Sequence, residues 1–364
     1  MEIRFRPAEE ARRVSGHQTG AERISVALCT YNGARFLPAQ LESILAQTRL
    51  PDEVQIFDDC STDDSVELLK RFAAQAAFPV HIHRNAERQG SILNFEQAIR
   101  ACSGTLIALS DQDDVWHPER LQRSEAALQQ HPEAGAVFTD GLLIDEAGEP
   151  TGMRLWERFI FTPDDQRRLR AGDYIPLARQ RFITGATMVF RAQYVPWIFS
   201  VGRLWHHDGW ASSIIACFSG LCWVTEPMLR YRTHPGQQIG VEGHLVPNAD
   251  TSSFASRSRN HWISFVPLLQ QLDSLCAALD TLPLPPEKRS TGATDAFYAE
   301  RDFLATRVGL PASRWRRIAP MLRARRSYQR CAMGWLSILR DLWMAKSGDE
   351  LERARQMPEE IAAY

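Results

Sequence analysis

The sequence predicts an α/β protein with a Rossmann-like, mostly parallel sheet flanked by helices, followed by a C-terminal helical region. Short apolar runs alternate with helix-like segments from residue 24 to about residue 140. The apolar runs are continuous, which is typical of parallel strands buried on both faces. From about residue 260 the apolar residues recur at helical spacing, with a break at 282–286. These patterns favour one large α/β unit with helices added at its carboxyl end.

The elements of the α/β unit can be assigned in chain order. Strands are expected at five apolar runs, namely 24–29, 53–57, 80–83, 105–109 and 136–139. Helices are expected between them, at 36–47, 62–74, 92–101 and 117–130. Ser61 or Thr62 is the expected N-cap of the second helix, and Pro118 suits the start of the fourth. Beyond residue 150, order returns at 182–191, 208–224 and 228–232.

Composition excludes several classes of protein. The chain has 364 residues, of which 44% are hydrophobic and 24% charged, and its formal net charge is -2. This balance gives no reason to expect a nucleic-acid partner. The seven cysteines form no C-x-x-C pair, which indicates reduced thiols. Residues 1–21 have no apolar core, unlike a signal peptide, and no apolar run reaches the roughly 20 residues of a spanning helix. We therefore expect a soluble, cytoplasmic protein.

Polar residues follow three of the predicted strands at the point where each strand ends. An acidic segment at residues 111–114 follows the fourth strand. The first two strands are followed by Thr30, Tyr31 and Asn32, and by Asp58 and Asp59. Ligands of open α/β sheets bind beyond the carboxyl ends of the strands. The three clusters therefore predict a single ligand crevice.

The acidic segment has the chemistry of a divalent cation site. Asp111, Asp113 and Asp114 supply carboxylate oxygens, and Mg²⁺ or Mn²⁺ bound by one or two of them keeps positions free for diphosphate oxygens. The alternative is that these aspartates only cap the following helix. A calcium loop is excluded, because Trp116 and Gln122 stand where an EF-hand needs Gly and Glu. The sequence also lacks the P-loop and the G-x-G-x-x-G fingerprint.

Several segments resemble the family 2 glycosyltransferases, which have a GT-A fold. They are ISVALCTYNG at 24–33, FDDCSTDD at 57–64, NAERQGSILNF at 85–95, LSDQDDVW at 109–116, ITGATMVFR at 183–191 and HDGW at 207–210. The resemblance covers about residues 23–240. Within the family, these segments are most similar to the rhamnosyltransferase-type branch, which builds bacterial surface polysaccharides. It implies an N-terminal tail at 1–22, a glycosyltransferase domain at 23–245 and a C-terminal helical region at 246–364. Within the domain, a nucleotide-binding half at 23–140 precedes an acceptor half at 141–245.

The resemblance implies roles for the residues of the nucleotide-binding half. Thr30, Tyr31 and Asn32 would frame the nucleobase, with Tyr31 available to stack on it. Asp59 would accept a hydrogen bond from the base N3–H, although the motif also allows Asp58.

The remaining donor contacts follow from the same resemblance. Arg88 and Asn94 lie in the segment that flanks the donor. Asp111 would contact the ribose or the metal shell, and Gln112 is expected among the residues that bind the nucleotide sugar. Asp113 would be the direct metal ligand, with Asp114 in support.

The acceptor half would supply the catalytic base and a further metal contact. Asp208 corresponds to the family's base, since an inverting transfer needs a carboxylate to take the proton of the acceptor hydroxyl. Its alternative role is an N-cap of the helix that starts at Gly209. His234 would contact the metal or the diphosphate, unless it is an exposed loop histidine. Arg230 and Arg232 are candidate phosphate contacts.

The C-terminal region contains an unusual basic segment. Residues 311–330 hold seven arginines and no acidic residue, with Trp315, Ile318, Met321 and Leu322 between them. This pattern is that of a basic amphipathic surface that touches anionic lipid at the inner face of the cytoplasmic membrane. The alternative, which the sequence favours, is a helical subdomain whose arginines face solvent or the sheet domain.

The resemblance and the residues together predict an inverting glycosyltransferase that needs Mn²⁺ or Mg²⁺. Its donor would be a dTDP- or UDP-linked sugar, with rhamnose favoured, and its acceptor a hydroxyl of a glycan or lipid-linked saccharide. The alternatives are a transferase that uses UDP-hexose or UDP-HexNAc, a sugar nucleotidyltransferase, and a non-catalytic subunit that binds sugar nucleotides.

Overall fold

A nine-stranded mixed sheet forms the centre of the computed structural model, which describes residues 22–199, 204–237, 264–282, 291–344 and 346. The strand order is β3-β2-β1-β4-β8-β6-β9-β5, with β7 paired to β6. The strands are β1 (Ile24–Thr30), β2 (Glu53–Asp58), β3 (Val80–Arg84), β4 (Leu106–Ser110), β5 (Val115–Trp116), β6 (Ala134–Ile144), β7 (Pro150–Arg154), β8 (Met188–Arg191) and β9 (Gly220–Arg232). Helices flank this sheet, which confirms the predicted α/β fold class.

The first half of the sheet is parallel, as the continuous apolar runs predict. β1 pairs in parallel with both β2 and β4, and β2 pairs in parallel with β3. Every residue of β1 and β4 is buried. The crossover helices are α1 (Leu37–Leu45), α2 (Ser65–Gln75) and α3 (Ser91–Ala101). The carboxyl ends of β1, β2 and β4 therefore meet at one edge of the sheet.

The second half is mixed, which corrects the expectation of a mostly parallel sheet. β8 inserts antiparallel between β4 and β6, while β6 runs parallel to β9. The two-residue strand β5 pairs antiparallel with β9, where Val115 faces Arg230 and Trp116 faces Leu229. This pairing brings the segment that follows the acidic cluster beside the end of β9, although the two are more than a hundred residues apart in the chain.

Two helix starts differ from the prediction. α2 begins at Ser65 with Asp64 at its N-cap position, not Ser61 or Thr62. The Oγ of Ser61 accepts a hydrogen bond from the Asn32 N–H instead, at 2.9 Å. Pro118 precedes the next helix, α4 (Arg120–Gln130), which starts two residues later. Four more helices complete this part of the fold, namely α5 (Leu155–Arg158), α6 (Pro163–Arg170), α7 (Ile175–Arg179) and α8 (His207–Phe218).

The C-terminal region is helical, as predicted. It consists of α9 (Phe265–Thr281), α10 (Thr291–Val308), α11 (Arg314–Arg323), α12 (Arg325–Cys331) and α13 (Trp335–Trp343). α10 packs on α7 and α8, so the region shares one apolar core with the second half of the sheet. Among the described residues, no helix is both long enough and apolar enough to cross a membrane. The domain boundary predicted at 245 lies outside the described residues, as does the predicted tail at 1–22 apart from Glu22.

Candidate active site

A crevice of about 390 Å³ opens at the carboxyl ends of the parallel strands. It is lined by ten of the residues that the sequence singles out, namely Thr30, Tyr31, Asp59, Arg88, Asn94, Asp111, Gln112, Asp113, Asp208 and His234. Two others, Asn32 and Asp58, do not line it. The topology explains the convergence, because β1, β2 and β4 all end here and α8 begins here.

Gln112 ties the acidic segment to the end of β1. Its Oε1 accepts hydrogen bonds from the Thr30 hydroxyl at 2.7 Å and from the Tyr31 N–H at 2.8 Å. Its Nε2 donates to the Tyr31 carbonyl at 3.2 Å. A Cβ on Gly33 would lie 2.3 Å from the same Oε1, so a larger residue at position 33 would displace the Gln112 amide. Both ends of the Gln112 amide are engaged, which fits a positioning role better than a donor contact.

Asn32 shapes the turn after β1. Its backbone has a positive φ of 46°, a conformation that asparagine tolerates better than most residues. Its side-chain Oδ1 accepts a hydrogen bond from the Thr62 N–H at 2.8 Å, which ties the turn to the segment before α2. Asn32 therefore supports the crevice from behind.

The structure separates the two aspartates at the end of β2. Asp59 lines the crevice, and its carboxylate accepts hydrogen bonds from the Gln89 N–H at 2.7 Å and the Gly90 N–H at 2.9 Å. Asp58 is fully buried and accepts a hydrogen bond from the Ser61 N–H at 3.0 Å. Asp58 and Asp59 are the two predicted alternatives for the nucleobase contact, and Asp59 is the one that a ligand in the crevice can reach.

The loop held by Asp59 presents Arg88 to the crevice. The Arg88 guanidinium lies 4.1 Å from the centroid of the Tyr31 ring, a cation–π contact. Asn94, behind the loop, donates from Nδ2 to the Phe57 carbonyl at 2.9 Å and accepts from Asn85 at 2.9 Å. Arg88 therefore lies over the Tyr31 ring, while Asn94 is fixed by its two partners.

Asp113 and His234 form a carboxylate–imidazole pair. The Nε2 of His234 lies 3.0 Å from Oδ2 of Asp113. Its Nδ1 accepts a hydrogen bond from the Gly236 N–H at 3.2 Å, which assigns the proton of a neutral ring to Nε2. The imidazole also packs against Phe36, with ring centroids 4.6 Å apart. The predicted loop histidine is thus held beside the acidic segment rather than exposed.

The other two aspartates of the segment differ in access. Asp111 faces the crevice, and burial, followed by the charges of Asp113 and Asp208, raises its pKa to about 8. Asp114 is buried behind the crevice and accepts a hydrogen bond from the Arg232 N–H at 3.0 Å. Burial raises the pKa of Asp114 as well, and its two neighbouring carboxylates add to the effect. This crowding disfavours the ionised carboxylates, and a bound cation would favour them.

Arg120 is a buried cation that sequence reasoning missed. Its Nη2 donates to the carbonyls of Leu109 at 3.3 Å and Ala186 at 2.6 Å, joining β4 to the turn before β8. The guanidinium lies 3.8 Å from the Trp116 ring centroid. Burial lowers its pKa to about 9, opposed by the charges of Asp114 and Asp111. An arginine soon after an acidic cluster was the available signal, although most such arginines are exposed.

Arg232, which the sequence made a candidate phosphate contact, has a structural role instead. Its Nε donates to the Asp113 carbonyl at 2.8 Å. Its Nη1 donates to the carbonyls of Asp145 at 3.2 Å and Glu146 at 3.1 Å. Arg232 is buried and does not line the crevice. It anchors the acidic segment to the end of β9.

Asp208 lies in the first turn of α8 and lines the same crevice as Asp111 and Asp113. Its Oδ2 accepts a hydrogen bond from the Gly185 N–H at 2.8 Å, and its Oδ1 from the Gly209 N–H at 2.7 Å. Burial raises its pKa, but the neighbouring histidines and these two N–H groups outweigh burial, so the pKa is lowered. The N-cap position belongs to His206, which leaves the Asp208 carboxylate turned toward Gly185.

Two more residues of the acceptor side line the crevice. Burial lowers the pKa of His207, whose ring stacks on Phe95 with centroids 4.1 Å apart, so the imidazole is neutral at pH 7. The N–H groups of Gly185 and Gly209 support the ionised Asp208 in addition to the neighbouring histidines. Arg181 was not singled out from the sequence. Its pKa falls to about 10 through burial, opposed by the charge of Asp208.

The residues present fit a hard divalent cation with an incomplete protein shell. Within the described ranges, no cluster of three or more His, Cys, Asp or Glu side chains could enclose a metal ion. Asp113 supplies carboxylate oxygens with the His234 imidazole hydrogen-bonded beside it, and Asp111 adds a second carboxylate in the same crevice. His234 would bind a cation through Nε2 only after giving up the proton that it shares with Asp113. Mg²⁺ and Mn²⁺ sites that bind phosphates use one or two carboxylates and leave the remaining positions to substrate and water.

The sheet order and the position of the crevice define a GT-A fold. The TarS fragment 1–349 from S. aureus, solved in complex with UDP-GlcNAc, superposes with a TM-score of 0.53. The match covers 94% of this chain and 93% of that one, at 13% sequence identity. At this identity the likeness establishes the fold alone.

Sequence comparisons identify the domain. Residues 25–178 match the sequence model of Glycosyl transferase family 2. An uncharacterized glycosyltransferase of Nostoc sp. is 35% identical over 116 residues, 32% of this chain and 35% of that protein. EpsE of Bacillus subtilis, provisionally named a glycosyltransferase, is 31% identical over 126 residues, 35% of this chain and 45% of that protein. The chain thus spans less than half the length of these relatives. The matched segment is a family 2 glycosyltransferase domain.

Proposed function

We propose that the protein is an inverting glycosyltransferase that uses a nucleoside diphosphate sugar with Mn²⁺ or Mg²⁺. The observation that carries the proposal is one crevice that is lined both by the Asp113–His234 pair and by the Asp208 carboxylate. A metal-assisted leaving group and a general base are the two requirements of a single displacement at an anomeric carbon.

The donor would occupy the side of the crevice that β1 and β2 build. Tyr31 offers an aromatic face for the nucleobase, with the Arg88 guanidinium near the same ring. Asp59, fixed by the loop at 85–90, would accept a hydrogen bond from the base. Gln112 holds the backbone of Tyr31 in place from below. The rigid parts of this side orient the nucleotide, and Arg88 can move to admit it.

Asp113, His234 and Asp111 would hold the cation at the diphosphate. The bound cation would offset the charge that develops on the nucleoside diphosphate as the bond from the anomeric carbon to the phosphate oxygen breaks. Arg120, buried behind this segment, balances part of the carboxylate charge and keeps the segment in position when the site is empty of donor.

Asp208 would take the proton of the acceptor hydroxyl. Its lowered pKa keeps it ionised at neutral pH, and the N–H groups of Gly185 and Gly209 orient its oxygens. As the acceptor oxygen bonds to the anomeric carbon, its proton passes to the carboxylate. The two bond changes occur on opposite faces of the sugar carbon, so the configuration inverts.

For the donor, we favour dTDP-rhamnose over UDP-hexose or UDP-HexNAc, with a glycan or lipid-linked saccharide as acceptor. The support is the DQDDVW segment at 111–116 together with HDGW at 207–210. We also propose a role in surface polysaccharide synthesis. The support is a further relative, TuaG of Bacillus subtilis, whose provisional name refers to teichuronic acid biosynthesis. It is 26% identical over 141 residues, 39% of this chain and 53% of that protein. The reaction would take place in the cytoplasm.

A thermal-shift panel tests the proposal. dTDP-rhamnose, UDP-GlcNAc, UDP-glucose and GDP-mannose are each added with Mn²⁺ and with EDTA, because a ligand that binds only the folded state raises the melting temperature. The expected result is a shift that needs the metal and is largest with dTDP-rhamnose. A larger shift with a UDP-sugar would transfer the assignment to the UDP alternative. Release of pyrophosphate from a nucleoside triphosphate and a sugar phosphate would instead identify a nucleotidyltransferase.

A further inference from the structure

α11 is inverted with respect to ordinary surface helices, because its apolar stripe faces outward. Trp315, Ile318 and Leu322 recur at helical spacing and all are exposed, with 82% of Trp315 accessible. The inner face of the helix buries Arg317 and Met321. A surface helix of a globular protein normally buries its apolar stripe.

α13 repeats this arrangement. Its exposed residues are Trp335, Leu336, Leu339 and Trp343, while Ser337, Ile338 and Asp341 are buried. Trp335 is 58% and Trp343 64% exposed. The two helices pack together, and the Arg314 guanidinium of α11 lies 5.8 Å from the ring centroid of Trp343 in α13. The two outward stripes thus adjoin.

The polar inner faces lock this orientation. Arg317 donates to the carbonyls of Pro311 at 2.7 Å, Asp341 at 2.7 Å and Met344 at 2.6 Å. The Asp341 carboxylate accepts two bonds from Arg307 of α10, at 2.7 and 2.6 Å, and one from the Tyr328 hydroxyl at 2.7 Å. Rotating α13 to bury its tryptophans would break the buried Arg307–Asp341 ion pair. Rotating α11 would break the hydrogen bonds of the buried Arg317 guanidinium. The apolar stripes are therefore held outward.

The charge around the stripes is of one sign. Six of the seven arginines at 311–330 are exposed, namely Arg314, Arg316, Arg323, Arg325, Arg326 and Arg330. The segment contains no acidic residue. Tryptophan and arginine together match the interface of an anionic bilayer, where the indoles enter the headgroup boundary and the guanidinium groups meet lipid phosphates.

We propose that α11, α12 and α13 form a docking surface for a membrane rich in anionic phospholipid. α10 connects it to α7 and α8, and α8 carries Asp208 in its first turn. The docking surface is thus attached to the acceptor side of the crevice, where a lipid-linked acceptor would arrive. It rests on exposure and charge alone and does not depend on the transferase activity.

Flotation of the full chain with vesicles tests the proposal. Vesicles of phosphatidylglycerol and phosphatidylcholine in equal parts are compared with phosphatidylcholine alone, at low and high salt and without nucleotide. The expected result is binding to the anionic vesicles that weakens as salt rises. Trp315→Ser with Leu322→Ser should lower the partition coefficient by about tenfold or more, because two apolar side chains no longer insert. Arg323→Gln should lower it roughly fivefold.

Matched exposed positions in the sheet domain provide the controls. Leu50→Ser and Arg71→Gln change an exposed leucine and an exposed arginine far from the docking surface, and should leave binding unchanged. Circular dichroism of every variant verifies that it is folded. Failure of the full chain to float with anionic vesicles at low salt overturns the proposal. A loss of vesicle binding in the control variants that equals the loss in the docking-surface variants also overturns it.

Two other occupants give distinct results. If a second copy covers the docking surface, light scattering will show a dimer that Trp315→Ser with Leu322→Ser converts to monomer, and vesicles will not compete for it. Residues 347–364 contain five acidic residues and two arginines. If they cover the surface, the full chain will not float at low salt. Either outcome overturns membrane docking and leaves the proposed transfer reaction untouched.

Discussion

The imidazole Nε2 of His234 lies 3.0 Å from the carboxylate Oδ2 of Asp113, although 121 residues separate them in the chain. The antiparallel pairing of β5 with β9 creates this contact, because it places the end of β9 next to the acidic segment. Arg232 then fixes both sides, through Asp113 and Asp114. The proposed metal site thus depends on one short strand.

Loss of either member of this pair should weaken metal-dependent nucleotide binding. For Asp113→Asn and His234→Gln we expect affinity for a nucleoside diphosphate with Mn²⁺ to fall by roughly tenfold to a hundredfold, by analogy with changes in metal-site partners. Because both act through one cation, the double variant should lose little more than either single one. Isothermal titration measures these affinities. His131→Gln, at an exposed histidine, is the control, and an equal loss there would contradict the assignment.

Removing the charge of Asp208 should separate binding from transfer. Asp208→Asn keeps an oxygen that can accept the Gly185 N–H bond but loses the basic carboxylate. We expect the transfer rate to fall by about a hundredfold to ten-thousandfold, while the donor-induced thermal shift is unchanged. The exposed Asp164 provides the control as Asp164→Asn. Turnover of Asp208→Asn near the parent rate would remove this residue from the role of base.

The parallel half of the fold was predictable because burial on both faces leaves a continuous apolar signature in β1 and β4. The mixed half was not, since the four-residue β8 is defined by its partners on each side rather than by its own sequence. The site shows the same division. Strand-end positions located Asp59 and Asp113 at the crevice, but local pattern could not distinguish the turn-forming Asn32 from a ligand contact.

Arg120 should matter for stability far more than its neighbours in α4. Arg120→Gln leaves Asp111 and Asp114 without their buried counter-charge and breaks the bridge from Leu109 to Ala186. We expect a loss of about 3 kcal/mol or more in the free energy of unfolding. Arg123→Gln, one turn later at an exposed ion pair with Glu119, should cost about 1 kcal/mol or less. Urea unfolding of both variants makes the comparison, and equal midpoints would refute the role of Arg120.

Glu300 in α10 should make the stability of the C-terminal helices depend on pH. Burial raises its pKa from 4.5 to about 7, against the opposing effects of Arg179, Cys331, Arg307 and Arg168. Its Oε2 has no hydrogen-bond partner among the described residues. Between pH 4.5 and 7 the folded state therefore binds more protons than the unfolded state, so this group lowers stability as pH rises through that window.

Glu300→Gln removes this dependence, because the amide stays neutral. At pH 8 the variant should be more stable than the parent by up to about 3 kcal/mol, and the difference should shrink toward pH 5. Melting temperatures measured by calorimetry across this range test the prediction. The exposed Glu42 provides the control as Glu42→Gln, which should follow the parent at every pH. A constant difference between Glu300→Gln and the parent from pH 5 to pH 8 would mean that the Glu300 carboxyl does not titrate in this range.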